Sequence, residues 1–570
     1  MHDPVRKLTK KCTILTSFPP VVDFLCAVRY NGSCEKRQGR KIYMITDIDI
    51  LAQPDLVQFL TEAGTLSAEE SGGRFSAPDI TLEVSGGRLI LTAGQTPVKY
   101  CKLRWNGRFK QDAKFLGDAF ERAYGNLEWR GFVPHRILPW YFLASDGEET
   151  AGFGVKTGPN AFVSWNADRQ GITLWVDVRC GGRGVILSGK RLEAATLVSD
   201  VSRPGESAFA FAKRFCRAMC EQPVLPDAPV YGSNNWYYAY GNSSQEEILR
   251  DTDLLAELTV GLENRPYMVI DDCWQPLSLA HGAAGRPYDC GNIRFPDMPG
   301  LAAEMKRRGV RPGIWIRPIE SYEMFLPDRL RCERDRRVLD ITEPEVLDLI
   351  AEDVGRVTSW GYELIKFDFA TIDALGRFFM EPIDLMHIPD NWAWHDRSKT
   401  NAEAILGMYR VIRENSNDAV LIGCNVVGHL AAGILHMHRS GDDTSGFDWG
   451  RTLVMGVNTL AFRLPQHGAF FAIDADCVGI TKHIDWKMNR KFLRLLALSG
   501  TPLFCSMKPS DITEEMKQDL REAFTLASRQ ETAMEPLDWM ETSAPCEYRV
   551  DGRTERFDWI EEAGLSGFHK

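Results

Sequence analysis

A chain of 570 residues exceeds what one hydrophobic core organises, so two or three domains are expected. Its 44% hydrophobic and 25% charged residues are those of a folded globular protein. A net charge of −11, spread without long blocks, argues against a nucleic-acid or anionic-membrane surface and points to a neutral partner. The N-terminal stretch "MHDPVRKLTKKCTILTSFPPVVDF" lacks the apolar run of a signal peptide, and no apolar stretch of about 18 residues or more suggests a membrane span. A cytoplasmic protein is the expectation. The 14 cysteines show no paired C-x-x-C spacing and read as buried free thiols.

From about residue 40 to 200, short apolar or alternating runs such as "GRLILTAG", "WYFLASDG" and "GITLWVDV" are closed by Gly, Asn and Asp. That rhythm predicts an antiparallel β-sandwich. A helical pattern at 205–219 and a proline-rich linker, "CEQPVLPDAPVYG", end this part, so residues 1–222 are read as the N-terminal domain. Beyond it, strand and helix alternate. Strands are predicted at 229–236, 266–274, 310–318, 362–370, 419–425, 434–442, 469–476 and 501–506, which predicts a (β/α)8 TIM barrel over 229–528. The crossover "VVGHLAAGILH" between the fifth and sixth strands is too short for a full helix. Residues 529–570 are expected to form a short C-terminal β-rich segment.

The chemistry of such a barrel collects at the C-terminal ends of its strands. There the sequence places Asn235-Trp236, Asp271-Asp272-Cys273-Trp274, Trp315 and Arg317, Lys366 and Asp368, Cys424-Asn425, Arg439 with Asp442-Asp443, and Asp474 with Asp476. In "GYELIKFDFA", Lys366 and Asp368 share one face of a strand while Phe367 and Phe369 take the other. A structural ion pair is one reading of that pair, and helix caps or rim pairs are readings of the other carboxylates. Carboxylates gathered with tryptophans, without metal-ligand spacing, suit a carbohydrate site: aromatic rings meet sugar C–H faces and carboxylates take hydrogen bonds from hydroxyls. His429, His436 and His438 keep a metal-dependent barrel as an alternative.

The combination "IDDCW", "KFD" and "SGDD" resembles the α-galactosidase (melibiase) clan of retaining glycoside hydrolases, families 27 and 36, and the preceding sandwich makes family 36 the nearer likeness. The resemblance covers roughly residues 229–507. It implies Asp368 as nucleophile, held ionised by Lys366, and Asp442 as acid/base. Asp443 is the rival when the segment is measured from Arg439. Asp271 and Asp272 would bind sugar hydroxyls, Trp236 and Trp274 would form apolar walls, and Trp315, Lys366, Arg439 and Asp476 would be further contacts. Cys424 and Asn425 would approach the 2-position. Where family 36 commonly has Trp-Phe-Glu-Pro, this chain has Trp315-Ile316-Arg317-Pro318, a departure that suits an acidic or modified sugar. The implied function is a retaining exo-α-galactosidase acting on a carbohydrate, with no cofactor and no metal. The alternatives are a related α-glycosidase or transglycosylase, for example on a β-L-arabinopyranoside, and a non-catalytic sugar-binding barrel. Oligomeric state is not legible. The loop "PDNWAWHD" is read either as a lid bringing Trp392, Trp394 and His395 over the pocket or as a loop packing its own aromatics.

Overall fold

A computed structural model describes residues 51–282, 284–376, 388–529 and 533–560. The N-terminal stretch examined for a targeting signal, the start of the expected sandwich and residues 561–570 of the C-terminal segment lie outside them. Among the described residues, two antiparallel sheets come first. One is centred on Leu56–Thr61, Val98–Asn106, Phe162–Asp168 and Gly171–Asp177, the other on Ile80–Ser85, Arg88–Ala93, Tyr141–Ser145, Thr150–Val155 and Arg191–Val201. Alternation sends Trp105 and Trp165 inward from the first sheet, and Phe142 of the second meets Trp165 at 5.9 Å. A Ser207-capped helix, Ala208–Met219, lays Phe211 and Phe215 over the second sheet.

The parallel sheet follows, in strands β1 (Tyr231–Asn234), β2 (Tyr267–Ile270), β3 (Arg311–Ile316), β4 (Leu364–Phe367), β5 (Val420–Gly423), β6 (Met437–Arg439), β7 (Ala472–Asp474), β8 (Cys477–Ile480) and β9 (Leu503–Met507). Neighbours pair in register from β1 to β7, and β9 joins β1 to β8. The edge strands β7 and β8 are separated in the chain only by Ala475 and Asp476, so the sheet curls round until its two edges meet. The strand expected at 469–476 is thus only Ala472–Asp474, with a further strand from Cys477: Asp476 sits at φ 70°, in the left-handed region, and breaks the extended backbone between them. The fifth crossover holds a single helical turn, Gly428–Ala431. The helical segment after β6 contains a π-helical stretch, Leu453–Asn458. A three-stranded antiparallel sheet over Met534–Pro536, Glu547–Val550 and Arg553–Arg556 forms the described C-terminal part.

Strands sealed on both faces read as unbroken apolar runs, as YMVI and VLIG do. Within them, period two sorts the side chains. Val269, Leu364, Ile422, Met437 and Ala472 form one cluster inside the curl, and Ile270, Ile365, Phe367 and Leu421 join the outer core against the helices. The next inward positions towards the C-terminal ends are Asp271, Lys366, Cys424, Arg439 and Asp474. The site is therefore the top layer of the barrel's own packing.

A sandwich loop, residues 118–127, reaches this layer. Ala123 pairs with Gly441 as a parallel bridge, its N–H donating to Ser440 O at 2.9 Å and its carbonyl accepting from Asp442 N at 2.9 Å. Gly441 is required there, because a Cβ would lie 2.2 Å from Met455 O. Arg463, 1% exposed, locks the seam by donating to Asp118 at 2.8 Å, Ala119 O at 3.2 Å, Ser440 O at 3.0 Å and Glu121 O. Removing that guanidinium strands a buried carboxylate and several carbonyls. Arg463→Met is expected to destabilise the protein by roughly 3–5 kcal/mol, read as a lowered urea midpoint.

Candidate active site

Lys366 answers to Asp271, not to its strand neighbour. Its ammonium donates to Asp271 Oδ2 at 2.7 Å, across the barrel from β4 to the end of β2. Burial works to discharge this lysine, and Asp271 overrides it, so Lys366 is a fixed cation. The same Asp271 oxygen accepts from Asn234 Nδ2 at 2.6 Å, while Oδ1 takes the Asp272 N–H at 2.9 Å. Asp272 Oδ1 accepts from Cys273 N at 2.6 Å and Gln275 Nε2 at 2.8 Å. Burial, reinforced by the Asp271 charge, pushes the Asp272 carboxyl up to about 7.

Asp368 is held by other groups. Its Oδ1 accepts from Phe369 N at 2.8 Å, and the Trp315 indole N–H approaches Oδ2 at 3.4 Å. Phe369 turns left-handed at φ 57°, which ends the strand and starts the helix Ala370–Leu375. The carboxylate is thereby left at the mouth.

The two rivals at the end of β6 differ. Each Asp442 oxygen meets a guanidinium, Oδ1 that of Arg122 at 3.0 Å and Oδ2 that of Arg451 at 2.7 Å. In Asp443, Arg122 and Arg439 both approach Oδ1, at 3.4 and 3.2 Å, and neither takes Oδ2. Burial works to raise Asp443, but Arg122 and Arg439 prevail and hold its carboxyl down at about 2. Arg122 and Lys366 both lie within electrostatic range of Asp368 and Asp443.

Arg122 belongs to the sandwich loop, and sequence reasoning missed it together with Glu121 and Tyr124. Arg122 Nη1 also donates to Cys424 Sγ at 3.4 Å, as Arg439 Nη1 does at 3.3 Å. Glu121 is fully buried. Its Oε1 accepts from Asn425 Nδ2 at 2.7 Å and from the Tyr124 hydroxyl, while Oε2 has no partner. Burial pushes the Glu121 carboxyl up to about 7 against the pull of Arg122. "FERAYG" carries no periodicity, and only its density of polar groups between sandwich strands marks it in the sequence.

Several expected contacts are placed differently. Trp274 is fully buried, its N–H donating to Trp315 O at 2.8 Å and its ring stacked on Tyr288, so it supports β3 and offers no wall. Arg317 turns away into a fork on Asp373, at 2.8 and 2.6 Å, and a pair with Glu320 at 2.8 Å, so its guanidinium is not presented to an acidic sugar. Asn425 braces Glu121, Tyr124 and the Ile372 N–H. Asp476 anchors Arg439 at 3.0 Å, Thr444 N at 2.8 Å and the Tyr237 hydroxyl. Lys366 shares Asp271 rather than holding Asp368 alone. Trp236, half-buried, and Trp315 stay beside the mouth.

Trp392 and Trp394 are buried against each other at 5.0 Å, with Trp392 O accepting from Gly182 N of the sandwich, so this loop packs its own aromatics. His429 and His438 stack on Trp140 and Phe471, and burial lowers them to about 4 and about 3. His436 accepts the Leu421 N–H. Among the described residues no group of three His, Cys, Asp or Glu side chains is placed to hold a metal.

Solved structures share this fold. The α-galactosidase TtGalA of Thermus thermophilus, in complex with p-nitrophenyl α-D-galactopyranoside, superposes with a TM-score of 0.56 at 17% identity, over 88% of this chain and 99% of that one. This chain shares its fold with α-galactosidases, family 36 enzymes among them. The family 36 enzyme AgaA of Geobacillus stearothermophilus gives 0.52 at 16% identity, over 83% and 75% of the two chains. The galactosidase domain of the α-galactosidase-sucrose kinase AgaSK gives 0.55 at 14%, over 83% and 73%. No family model matches the chain, and no curated protein does.

Glu121 provides a test of the seam. A carboxyl raised from 4.5 to about 7 favours the fold while protonated, and that contribution is lost as pH rises through 7. Glu121→Gln removes the ionisation. Its stability relative to wild type is expected to improve by roughly 2–3 kcal/mol between pH 5 and pH 8, read by thermal unfolding at both.

Proposed function

We propose that the protein is a glycoside hydrolase that releases terminal α-linked galactose with retention of configuration. The observation that carries the reading is Asp368 and Asp443 at one barrel mouth, each under the influence of Lys366 and Arg122. The shared fold of the α-galactosidases above supports the sugar assignment.

In this reading Asp368 is the nucleophile. The Phe369 N–H and the Trp315 indole orient its oxygens for attack on the anomeric carbon. Asp443, rather than Asp442, gives the leaving oxygen its proton, because Oδ2 of Asp443 is not engaged by a guanidinium and both oxygens of Asp442 are. A covalent galactosyl-enzyme forms, and Asp443 then takes a proton from water as the water attacks. The Asp272 oxygen opposite its Cys273 and Gln275 contacts binds sugar hydroxyls, with Asp271 fixed behind it by Lys366.

A general acid must hold a proton, and two arginines oppose this in the free enzyme. Substrate covers Asp443, whose side chain is 37% open, and the loss of water favours its neutral form. Arg122→Met removes the foremost cation acting against protonation. The alkaline limb of kcat, which reports the substrate-covered enzyme and where activity is lost as the acid deprotonates, is expected to move to higher pH, and an unmoved limb would count against Asp443.

The assignment is tested with 4-nitrophenyl α-D-galactopyranoside. Asp368→Asn should abolish turnover. Asp443→Ala should lower kcat/KM by roughly 10²–10⁴-fold for poor leaving groups and far less for dinitrophenolate, with hydrolysis of the covalent intermediate slowed for every substrate. Azide should rescue it to α-galactosyl azide. Rescue of Asp442→Ala instead would transfer the role to Asp442, and no rescue of either would remove the double displacement.

A further inference from the structure

An antiparallel sheet with one solvated face is expected to be polar on that face, and the first sandwich sheet departs from this. Period two sends Cys101, Trp165 and Leu174 into the core. The residues between them face outward in rows set by the register. Tyr100 stands beside Asp177 and Phe162, and the next row aligns Lys102, Trp175 and Ser164. Asn166 follows, opposite Thr173. Pro134 and Ile137 wall this face on one side and make of it a cavity of about 380 Å³, the size of a small-molecule site. Its back wall is Phe120 and Phe162, buried around Trp140 at 5.3 and 6.1 Å. Among the described residues every lining side chain belongs to the sandwich and none to the barrel mouth.

The cavity is preformed. The Trp175 indole donates to Asn166 Oδ1 at 2.7 Å and Asn166 Nδ2 donates to Arg136 O at 2.7 Å, so the floor and the side wall are one hydrogen-bonded unit. Tyr100 meets Trp175 at 6.4 Å with the ring planes at 89°, which makes a corner and not a stack. Arg179 lies over the Tyr100 ring at 4.9 Å and forks onto Asp177, with Nη2 at 2.6 Å from Oδ2 and Nε at 3.0 Å from Oδ1. The fork holds the tyrosine from one side and neutralises the carboxylate in the lining.

Hydroxyls are what the lining leaves unsatisfied. Neither that of Tyr100 nor that of Ser164 has a hydrogen-bond partner among the described residues. Burial pushes the Tyr100 phenol well up, so it stays a donor as well as an acceptor. An apolar occupant would seal both hydroxyls without partners, which is unfavourable. A charged one would find Asp177 already matched by Arg179. A neutral ring with C–H groups on its faces and hydroxyls on its edge meets both demands, one face against Trp175 and its edge on Tyr100 and Ser164.

We propose that this cavity is a second carbohydrate site, which holds a neutral pyranose unit on the sandwich without cleaving it. With Asp177 locked in its fork, the described lining presents no pair of carboxyl groups to a glycosidic bond.

The full chain carrying Asp368→Asn, so that nothing turns over at the mouth, is titrated calorimetrically with the methyl α-D-pyranosides of galactose, glucose and mannose and with methyl β-D-galactopyranoside. At least one should bind in an event that Asp272→Asn at the mouth leaves unchanged. Trp175→Ala should raise the Kd of that event about tenfold. Tyr100→Phe should raise it about threefold without lowering the thermal midpoint, since it removes a hydroxyl that has no partner in the protein. Binding of none of the four, or a Kd within about twofold of the parent in both Trp175→Ala and Tyr100→Phe, would overturn the site. Binding lost in Asp272→Asn and kept in Trp175→Ala would return the sugar to the mouth and overturn it equally. Should Trp175→Ala fail to fold, Tyr100→Phe and Ser164→Leu, which pushes a side chain into the cavity from its floor, decide in its place. Turnover plays no part in this readout, so inactivity of the wild type on galactosides would bear on the mouth alone.

Discussion

The ion pair between Lys366 and Asp271 occupies the place where a barrel would otherwise put another apolar layer. Both side chains are nearly sealed, at 12% and 4% exposure, so neither charge is tolerable without the other. The pair therefore fixes which strand ends face one another across the mouth. Asn234 and the Asp272 N–H complete Asp271, and from that point the backbone of 271–275 folds over to present Asp272. Lys366 also sets the electrostatic tone of its surroundings, one cation acting on both Asp368 and Asp443.

Around this centre the chain builds a site from two modules. The barrel supplies the carboxylates, and the sandwich supplies the cation that governs one of them. Arg122 stands within a loop pinned by Arg463, Asn458 and the Ala123–Gly441 bridge, so the sandwich contributes to the electrostatics of the mouth and not merely to its support. Such a division couples folding to function: Arg439 and Arg451 of the barrel already approach the carboxylates of the β6 loop, and Arg122 joins them only when the sandwich has docked.

Much of this was legible in the sequence. Runs such as "YMVI" and "LIKF" announce sealed parallel strands, and period two carries Lys366 and Asp368 to the inner face without any knowledge of neighbours. What pairs with what was not legible. Lys366 has Asp368 two residues away, yet its partner is Asp271, because the ladder from β2 to β4 places those ends opposite each other and local spacing says nothing of that. Trp274 and Arg317 failed for a related reason. Each lies past a strand end, where alternation no longer applies and the turn decides which way a side chain points. The Glu121–Tyr124 loop was invisible because its significance lies entirely in contacts with residues some 300 positions away.

The break between β7 and β8 gives the barrel a joint. An unbroken stave passes every shift in register to both neighbours, so a loop at its end cannot be altered without disturbing the ring. Here the inner half-strand follows β6 and the outer one follows β9, and at the joint itself Asp476 reaches sideways to Arg439, Thr444 and Tyr237. The loop that carries Asp443 and Phe447 is thus fastened largely by side chains, Asp476, Tyr240 and Arg451 among them, and not by a strand ladder. That arrangement leaves this side of the mouth open to remodelling, residue by residue, while the opposite side keeps the geometry of the curled sheet.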